Sequence, residues 1–315
     1  FDQTDVEGKN DPQEEEQEPK LTYQEVVVVT VAKTEQRLID AGSLVTAFTP
    51  SQLRRSPAIV IDEQLRRVPG FSLFRRSSSL YSHPTTQGTS LRGIGPSGAS
   101  RSLVLWNGIP LNDPFGNWIY WNRLPALSNA RVEVVRGAAS PLYGSSALAG
   151  TIQLIPRPPT KKTLDARLQV GNLETYDVDV FASHRLSDWS FIVSGRIFDT
   201  KGHIPIREEE QGSIDIPANT KFQTLLGRLE YRDFHVGVNV YSEEKSNGTP
   251  AQQNKSHLYL VETGYDADTW SLNFYGQGQE MVSQYSRIFP GRNREFPIAG
   301  SPFPSTGFGS SFTID

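Results

Sequence analysis

The 315-residue sequence contains no cysteine, so disulfide frameworks and thiolate metal sites are excluded. Long apolar runs are missing too. The longest aliphatic stretch, Val26 to Val29, falls far short of the ~20 residues of a membrane-spanning helix, which removes a helical membrane protein. Basic residues are not in excess: 31 Lys and Arg stand against 35 Asp and Glu, a net charge of −4. A nucleic-acid partner would require a basic patch, so none is expected. The five histidines (His83, His184, His203, His235 and His257) show no metal-ligand spacing. Gly144-Ser145-Ser146-Ala147-Leu148 lacks the closing glycine of a nucleophile elbow. Gly93-Ile94-Gly95-Pro96-Ser97-Gly98 spells a dinucleotide fingerprint, but Ser102 to Trp106 after it reads as strand where that motif needs a helix. No catalytic residue, metal or cofactor is expected. A β-barrel survives these exclusions, because its alternating strands keep mean hydropathy low, here −0.43.

What the chain does have is organised around Ala130 to Ile155. Val132 and Val134 read as a strand ended by Arg136-Gly137. A small-residue run follows, in which Gly137, Gly144 and Gly150 permit tight turns or close backbone approach. Thr151 to Ile155 then alternates as a second strand, stopped by Pro156. Upstream, residues 1 to 20 are acidic with almost nothing apolar, the composition of a solvated tether. Glu25-Val26-Val27-Val28-Val29-Thr30-Val31 is β-prone and suited to adding itself as a strand to a partner's sheet edge. Ser56 reads as a cap with Pro57 opening a helix that Pro69-Gly70 stops. Ser90-Leu91-Arg92-Gly93 and Val104-Leu105-Trp106-Asn107-Gly108 follow as strand ends and a tight turn.

These segments, in this order, resemble the plug-domain signature of TonB-dependent outer-membrane receptors over roughly residues 25 to 157. Asn107 stands where the family has Asp, Ala149 where it has the first of paired glycines, and Pro156 where Thr is common. The resemblance implies an α+β plug domain followed by antiparallel transmembrane β-barrel strands, an incomplete barrel in this chain. The implied divisions are a periplasmic tether over 1–24, a TonB-box-like segment over 25–31, the plug over 34–158 and the first part of the barrel over 162–315. It implies active uptake of a scarce, bulky ligand: an iron chelate, cobalamin, or a glycan or peptide. The implied partners are TonB, through Glu25, Val26, Val27, Val28, Val29, Thr30 and Val31, outer-membrane lipid and an extracellular small ligand. The location is the outer membrane of a Gram-negative-type bacterium, N-terminus periplasmic. By position, the plug apex would offer Arg75, Arg76, Tyr81, His83, Asn112, Asp113, Phe115, Asn117, Trp118, Tyr120 and Trp121 to the ligand. Arg92, Glu133 and Arg136 match charges that hold the plug to the barrel wall.

After Pro156 the apolar period becomes two. Alternation marks seven strands, the last near Trp270 to Tyr275, with Phe289 to Phe308 read as a long loop. Short turns at Leu186–Asp188, Tyr231–Asp233 and Asp266–Asp268 alternate with long stretches at Thr200–Thr220 and Glu243–Ser256. That asymmetry belongs to an outer-membrane barrel. Seven strands cannot close one without open edges in lipid, so the chain is expected to be a fragment. A soluble periplasmic β-rich binding module is the competing reading.

Overall fold

The computed structural model describes residues 27–28, 36–37, 44–94, 100–137, 143, 145–298 and 300–314. The acidic tether, Glu25, Val26, Val29, Thr30 and Val31 lie outside these residues. Within the valine-rich segment, β1 (Val27–Val28) pairs antiparallel with β2 (Gln36–Arg37), and Val28 is buried.

The plug's central sheet takes its first strand from β3 (Leu44–Phe48). Helix α1 (Pro50–Arg55) opens on a capping box: Gln52 N–H donates to the Thr49 hydroxyl, and Thr49 N–H donates to the Gln52 amide oxygen. The helix expected to start at Pro57 does not exist as one piece. Pro57 keeps Ser56 extended, at ψ 134°, and a second short helix, α2 (Ile61–Leu65), forms beyond it. Then come β4 (Phe71–Leu73), β5 (Thr89–Leu91), β6 (Ser102–Trp106), β7 (Ile109–Pro110), β8 (Asn129–Arg136) and β9 (Gly150–Pro156). β6 and β7 are joined by Asn107-Gly108 at φ 49° and 80°, the left-handed pair a tight hairpin requires. The central sheet runs β3-β8-β9-β6-β7, with β6 and β9 parallel. At Gly150 (φ 140°) an added Cβ would lie 2.3 Å from the Val135 carbonyl oxygen, so only glycine lets β9 start there.

The second half is one antiparallel sheet of eight strands: β10 (Lys162–Gly171), β11 (Thr175–Leu186), β12 (Trp189–Thr200), β13 (Thr220–Tyr231), β14 (Phe234–Ser246), β15 (Gln253–Asp266), β16 (Trp270–Val282) and, after a hairpin of β17 (Tyr285–Ile288) and β18 (Glu295–Ile298), β19 (Pro302–Ile314). β19 corrects the expectation of a loop over residues 302–308. Its glycines, serines and two prolines mask the alternation, and Phe308, Phe312 and Ile314 carry its outer face. Strands β14 and β15 also run further than expected, so the stretch Glu243–Ser256 shrinks to a connection over 247–252. Among the described residues the sheet is open, with β10 and β19 at its edges.

Alternation divides this sheet into two unlike faces. One exposes an apolar band that includes Leu168, Val193, Ile197, Leu225, Val240, Val261 and Phe274. The other turns Asp177, Asp179, Arg196, Thr224, Asn239, Glu243, Gln277 and Gln279 inward, all buried. The plug covers that inner face. One hydrophobic cluster joins Trp106, Val134 and Ile152 of the plug to Phe181, Ile192, Leu226 and Leu260 of the wall. The two halves therefore share a core.

Candidate functional site

Two plug loops reach the end of the wall that carries its long connections, 201–219, 247–252 and 283–301. In the first, residues 74–88, Arg75 is a strut. Its Nη2 lies 2.6 Å from Asp62 Oδ2 and its Nη1 donates to the Ser77 carbonyl oxygen at 2.5 Å. Asp62 also accepts from the Ser79 hydroxyl at 2.9 Å. Burial lowers the Arg75 pKa, and Asp62 opposes that shift. Arg76 is exposed. Tyr81 is half-buried, its ring edge-on to His203 at 4.9 Å, and its carbonyl oxygen accepts from Asn247 Nδ2 at 2.9 Å.

His83 is the best-defined apex residue. Thr85 N–H donates to its Nδ1 at 3.3 Å, which makes Nδ1 the acceptor and assigns the proton to Nε2, 3.1 Å from the Ser283 hydroxyl. The ring stacks on Tyr285 of β17 at 4.3 Å. Burial, then the Lys245 cation, pull its pKa down to about 4.

In the second loop, residues 111–128, a single carboxylate organises the chain. Asp113 Oδ1 accepts from Phe115 N–H at 3.0 Å and Gly116 N–H at 2.9 Å, and Oδ2 accepts from Trp118 N–H at 2.6 Å. Gln279 of the wall donates to Oδ1 at 2.8 Å. Burial raises the Asp113 pKa more than these four bonds lower it. Asn112 is turned inward, its Oδ1 accepting from Val104 N–H at 2.9 Å and its Nδ2 donating to the Ser102 carbonyl oxygen. Asn117, at φ 59°, donates to the Ser100 carbonyl oxygen at 2.5 Å. The four aromatics divide. Phe115 is exposed and Trp118 half-buried, their rings 5.9 Å apart. Tyr120 and Trp121 are buried, one donating to Met281 Sδ at 3.3 Å, the other edge-on to Phe71 at 6.5 Å. Arg76, Tyr81, His83, Phe115, Asn117 and Trp118 thus keep open surface. Arg75, Asn112, Asp113, Tyr120 and Trp121 build the loops beneath.

Of the three charges matched to plug anchoring, Arg136 donates to the Pro69 carbonyl oxygen at 3.2 Å and Glu133 lies 2.7 Å from Arg131. Arg92 is exposed at φ 60° beside Gly137. These contacts lie within the plug. Among the described residues, other side chains grip the wall. Arg123, which sequence reasoning missed, is fully buried and donates to Asn239 Oδ1 at 3.2 Å, Gln277 Oε1 at 3.1 Å and the Tyr259 carbonyl oxygen at 3.2 Å. Burial brings its pKa down to about 10, so it is a cation at neutral pH. Its own carbonyl oxygen accepts from Thr224 Oγ1 at 2.5 Å. Other wall side chains reach plug backbone: Arg196 to the Ile59 carbonyl oxygen at 3.0 Å, Lys245 to that of Ser79 at 3.0 Å, and Thr220 to that of Leu80. Asp179 accepts from Leu127 N–H at 3.0 Å. The only signal in the sequence was a lone arginine closing the aromatic run N-W-I-Y-W-N-R.

Comparison with known proteins agrees with this architecture. Residues 37–151 match the family model of the TonB-dependent Receptor Plug Domain. A vitamin B12 transporter of Vibrio vulnificus is 30% identical over 131 residues, 42% of this chain and 20% of that protein. A vitamin B12 transporter of Photobacterium profundum is 22% identical over 280 residues, 85% of this chain and 45% of that protein. The chain thus spans less than half the length of these relatives. The solved structure of FpvA from P. aeruginosa, bound to heterologous pyoverdines, superimposes with a TM-score of 0.62 at 15% identity, over 91% of this chain and 42% of that one. That likeness is one of fold.

Proposed function

This chain is a TonB-dependent receptor by family, and from that premise we propose that it serves active uptake of a ferric siderophore or cobalamin across an outer membrane. The carrying observation is the seating of the plug on the polar face of a sheet whose opposite face is an exposed apolar band. Lipid suits such a band and water does not, which weighs against a soluble periplasmic module. In this reading the long connections face outward and the N-terminus faces the periplasm. The ligand rests on Arg76, Tyr81, His83, Phe115, Asn117 and Trp118, while Arg75, Asn112, Asp113, Tyr120 and Trp121 hold the loops that present them. TonB pairs with the valine-rich segment by strand addition, where backbone bonds supply the affinity. No covalent step is required, so the protein acts as a transporter and not an enzyme.

Uptake of labelled cobalamin and of a panel of ferric siderophores tests the proposal, in cells whose sole receptor is expressed from this gene, with TonB present or deleted. One ligand should accumulate only when TonB is present. Accumulation of none, or accumulation indifferent to TonB, refutes it.

A further inference from the structure

Where the plug meets the wall, two kinds of contact divide the sheet. Among the described residues, every buried wall member of the apolar clusters lies on β11 to β15, with Phe181, Ile192, Leu226, Tyr241 and Leu260 representing the five strands in turn. To these clusters β16 adds only the half-buried Tyr275, and β19 adds nothing. The inner face of β19 is small and polar. Its register sets Ser305, Gly307, Gly309, Ser311 and Thr313 opposite Gln279, Gln277, Tyr275, Asn273 and Ser271 of β16. Gln277 and Gln279 reach the plug through hydrogen bonds, to the Asn112 carbonyl oxygen at 3.2 Å and to Asp113 Oδ1 at 2.8 Å.

This polar side leads from the plug apex to the short-turn end of the wall. At its top the Phe115 and Phe303 rings lie 5.6 Å apart. Below them Ser305 Oγ is buried without a hydrogen bond among the described residues. Pro114 of the plug then presses on Gly307, where an added Cβ would lie 3.1 Å from Pro114 Cγ. The Tyr275 ring covers Gly309 in the same way, its Cε1 2.5 Å from an added Cβ. Beyond Tyr275 a cleft of about 620 Å³ opens between plug and wall. Its lining includes Gln153 of the plug and Ser271, Asn273, Ser311 and Thr313 of the wall, and it reaches Asp266 at a short turn. Gln153 is 8% exposed, and its Oε1 has no hydrogen-bond partner among the described residues. A buried amide oxygen left unpaired calls for a polar occupant.

We infer that this side of the wall is the route of passage: cargo descends along β16 and β19 from Phe303 to the cleft, and Pro114 and Tyr275 close the way at rest. Parting the apolar contacts over β11 to β15 would expose packed hydrocarbon to water. Hydroxyls and amides exchange their bonds with water or with a polar cargo at little net cost. The plug can therefore stay seated on β11 to β15 while the β16–β19 side opens. The inference rests on the uptake reading and adds to it where in the protein the cargo moves.

Single cysteines test the route in cells, since the chain has none of its own. Cyanocobalamin, a ferric trihydroxamate and a ferric tris-catecholate are supplied in turn, with a small charged maleimide outside. With the compound that accumulates, Ser305→Cys should be labelled about tenfold faster when TonB is present than when it is deleted, because labelling follows the opened fraction. Ile192→Cys, in the apolar contact, should stay unlabelled. Ser311→Trp, which fills the cleft, should cut uptake by about tenfold and leave binding of the same compound to cells lacking TonB unchanged. Should Ser311→Trp fail to reach the membrane, the cysteine pair decides alone. Labelling of Ile192→Cys during uptake, with or without Ser305→Cys, overturns the route. Uptake with neither cysteine labelled, or undiminished in Ser311→Trp, does the same and leaves the transport reading standing. Uptake of none of the three compounds by the wild type overturns the transport reading and the route with it.

Discussion

Arg123 Nη1 lies 3.1 Å from Gln277 Oε1, and the guanidinium, 1% exposed, meets neutral acceptors only among the described residues. Hydrogen bonds to neutral groups hold this buried cation, and the Asp113 carboxylate of the same loop is near enough to favour its charge. Its three acceptors sit on β14, β15 and β16, so one plug side chain ties three neighbouring wall strands.

Arg123→Ala removes the donor and strands Asn239, Gln277 and the Tyr259 carbonyl in a dry interface. The expected loss of plug–wall stability is about 3 kcal/mol, as for truncating one member of a buried charged network. Arg123→Lys should recover only part of it, since one ammonium cannot reproduce the planar fork. Protease cleavage of the plug in detergent reads this out. Unchanged cleavage in Arg123→Ala would show that the shared apolar core, not the guanidinium, holds the plug.

The buried grip explains what was legible in the sequence and what was not. β5, β6, β8 and β9 of the plug, the Asn107-Gly108 turn and seven wall strands announce themselves through local periodicity and turn chemistry, which the chain carries within short windows. β3 and β4 are too short and irregular in pattern to do so. β19 was hidden because prolines, glycines and serines blur its alternation. Which apex aromatics face outward was also illegible: Trp118 and Tyr120 have the same local composition around them, and only packing against Met281 and Tyr241 buries the second. Plug–wall bonds were the least readable of all. On the plug side many of them use a backbone carbonyl, as at Ile59, Ser79 and Leu80, and a carbonyl leaves no mark on residue identity.

Gly150→Ala should disrupt the plug sheet. Its φ of 140° is disallowed to an L side chain, and the new methyl would meet the Val135 carbonyl oxygen at 2.3 Å and Leu91 Cδ1 at 2.7 Å. Relief requires β8 and β9 to separate at Arg136↔Gly150, their last register pair. A loss of about 3 kcal/mol is expected, strain and lost pairing together. Denaturant midpoints of wild type and variant measure it, and equal midpoints would mean that the β8–β9 junction does not adopt this geometry.

Asp215 and Arg292 join the connections 201–219 and 283–301 in a bidentate pair with contacts of 2.5 to 3.0 Å. The bond from Arg292 holds the Asp215 carboxyl below the usual carboxylate range. A lowered acid contributes stability above its unfolded pKa and loses it as pH falls through the folded value. Protease nicking of 201–219 should therefore stay slow at neutral pH and quicken only below about pH 4. Arg292→Ala should be nicked several-fold faster at neutral pH, because the pair contributes about 1 kcal/mol. Equal nicking rates would leave the backbone bond from Ile214 N–H to the Arg292 carbonyl oxygen as the tie that matters.

His83 gives the apex a dependence on acid of its own. Folded, its pKa is about 4, against about 6.5 in an unfolded chain. Between those values the unfolded chain binds a proton that the folded one refuses, so stability rises with pH across the window and falls as pH drops through it. The shift corresponds to about 3 kcal/mol at most, lessened by what solvent reaches the ring. Geometry gives the reason: a proton on Nδ1 would confront the Thr85 N–H that now donates to it, and Lys245 already supplies positive charge nearby. His83→Phe keeps a ring against Tyr285 and cannot titrate, so its stability should be nearly flat from pH 6.5 to pH 4 while wild type declines. Parallel denaturation curves for the two proteins across that range would place the acid sensitivity on another group.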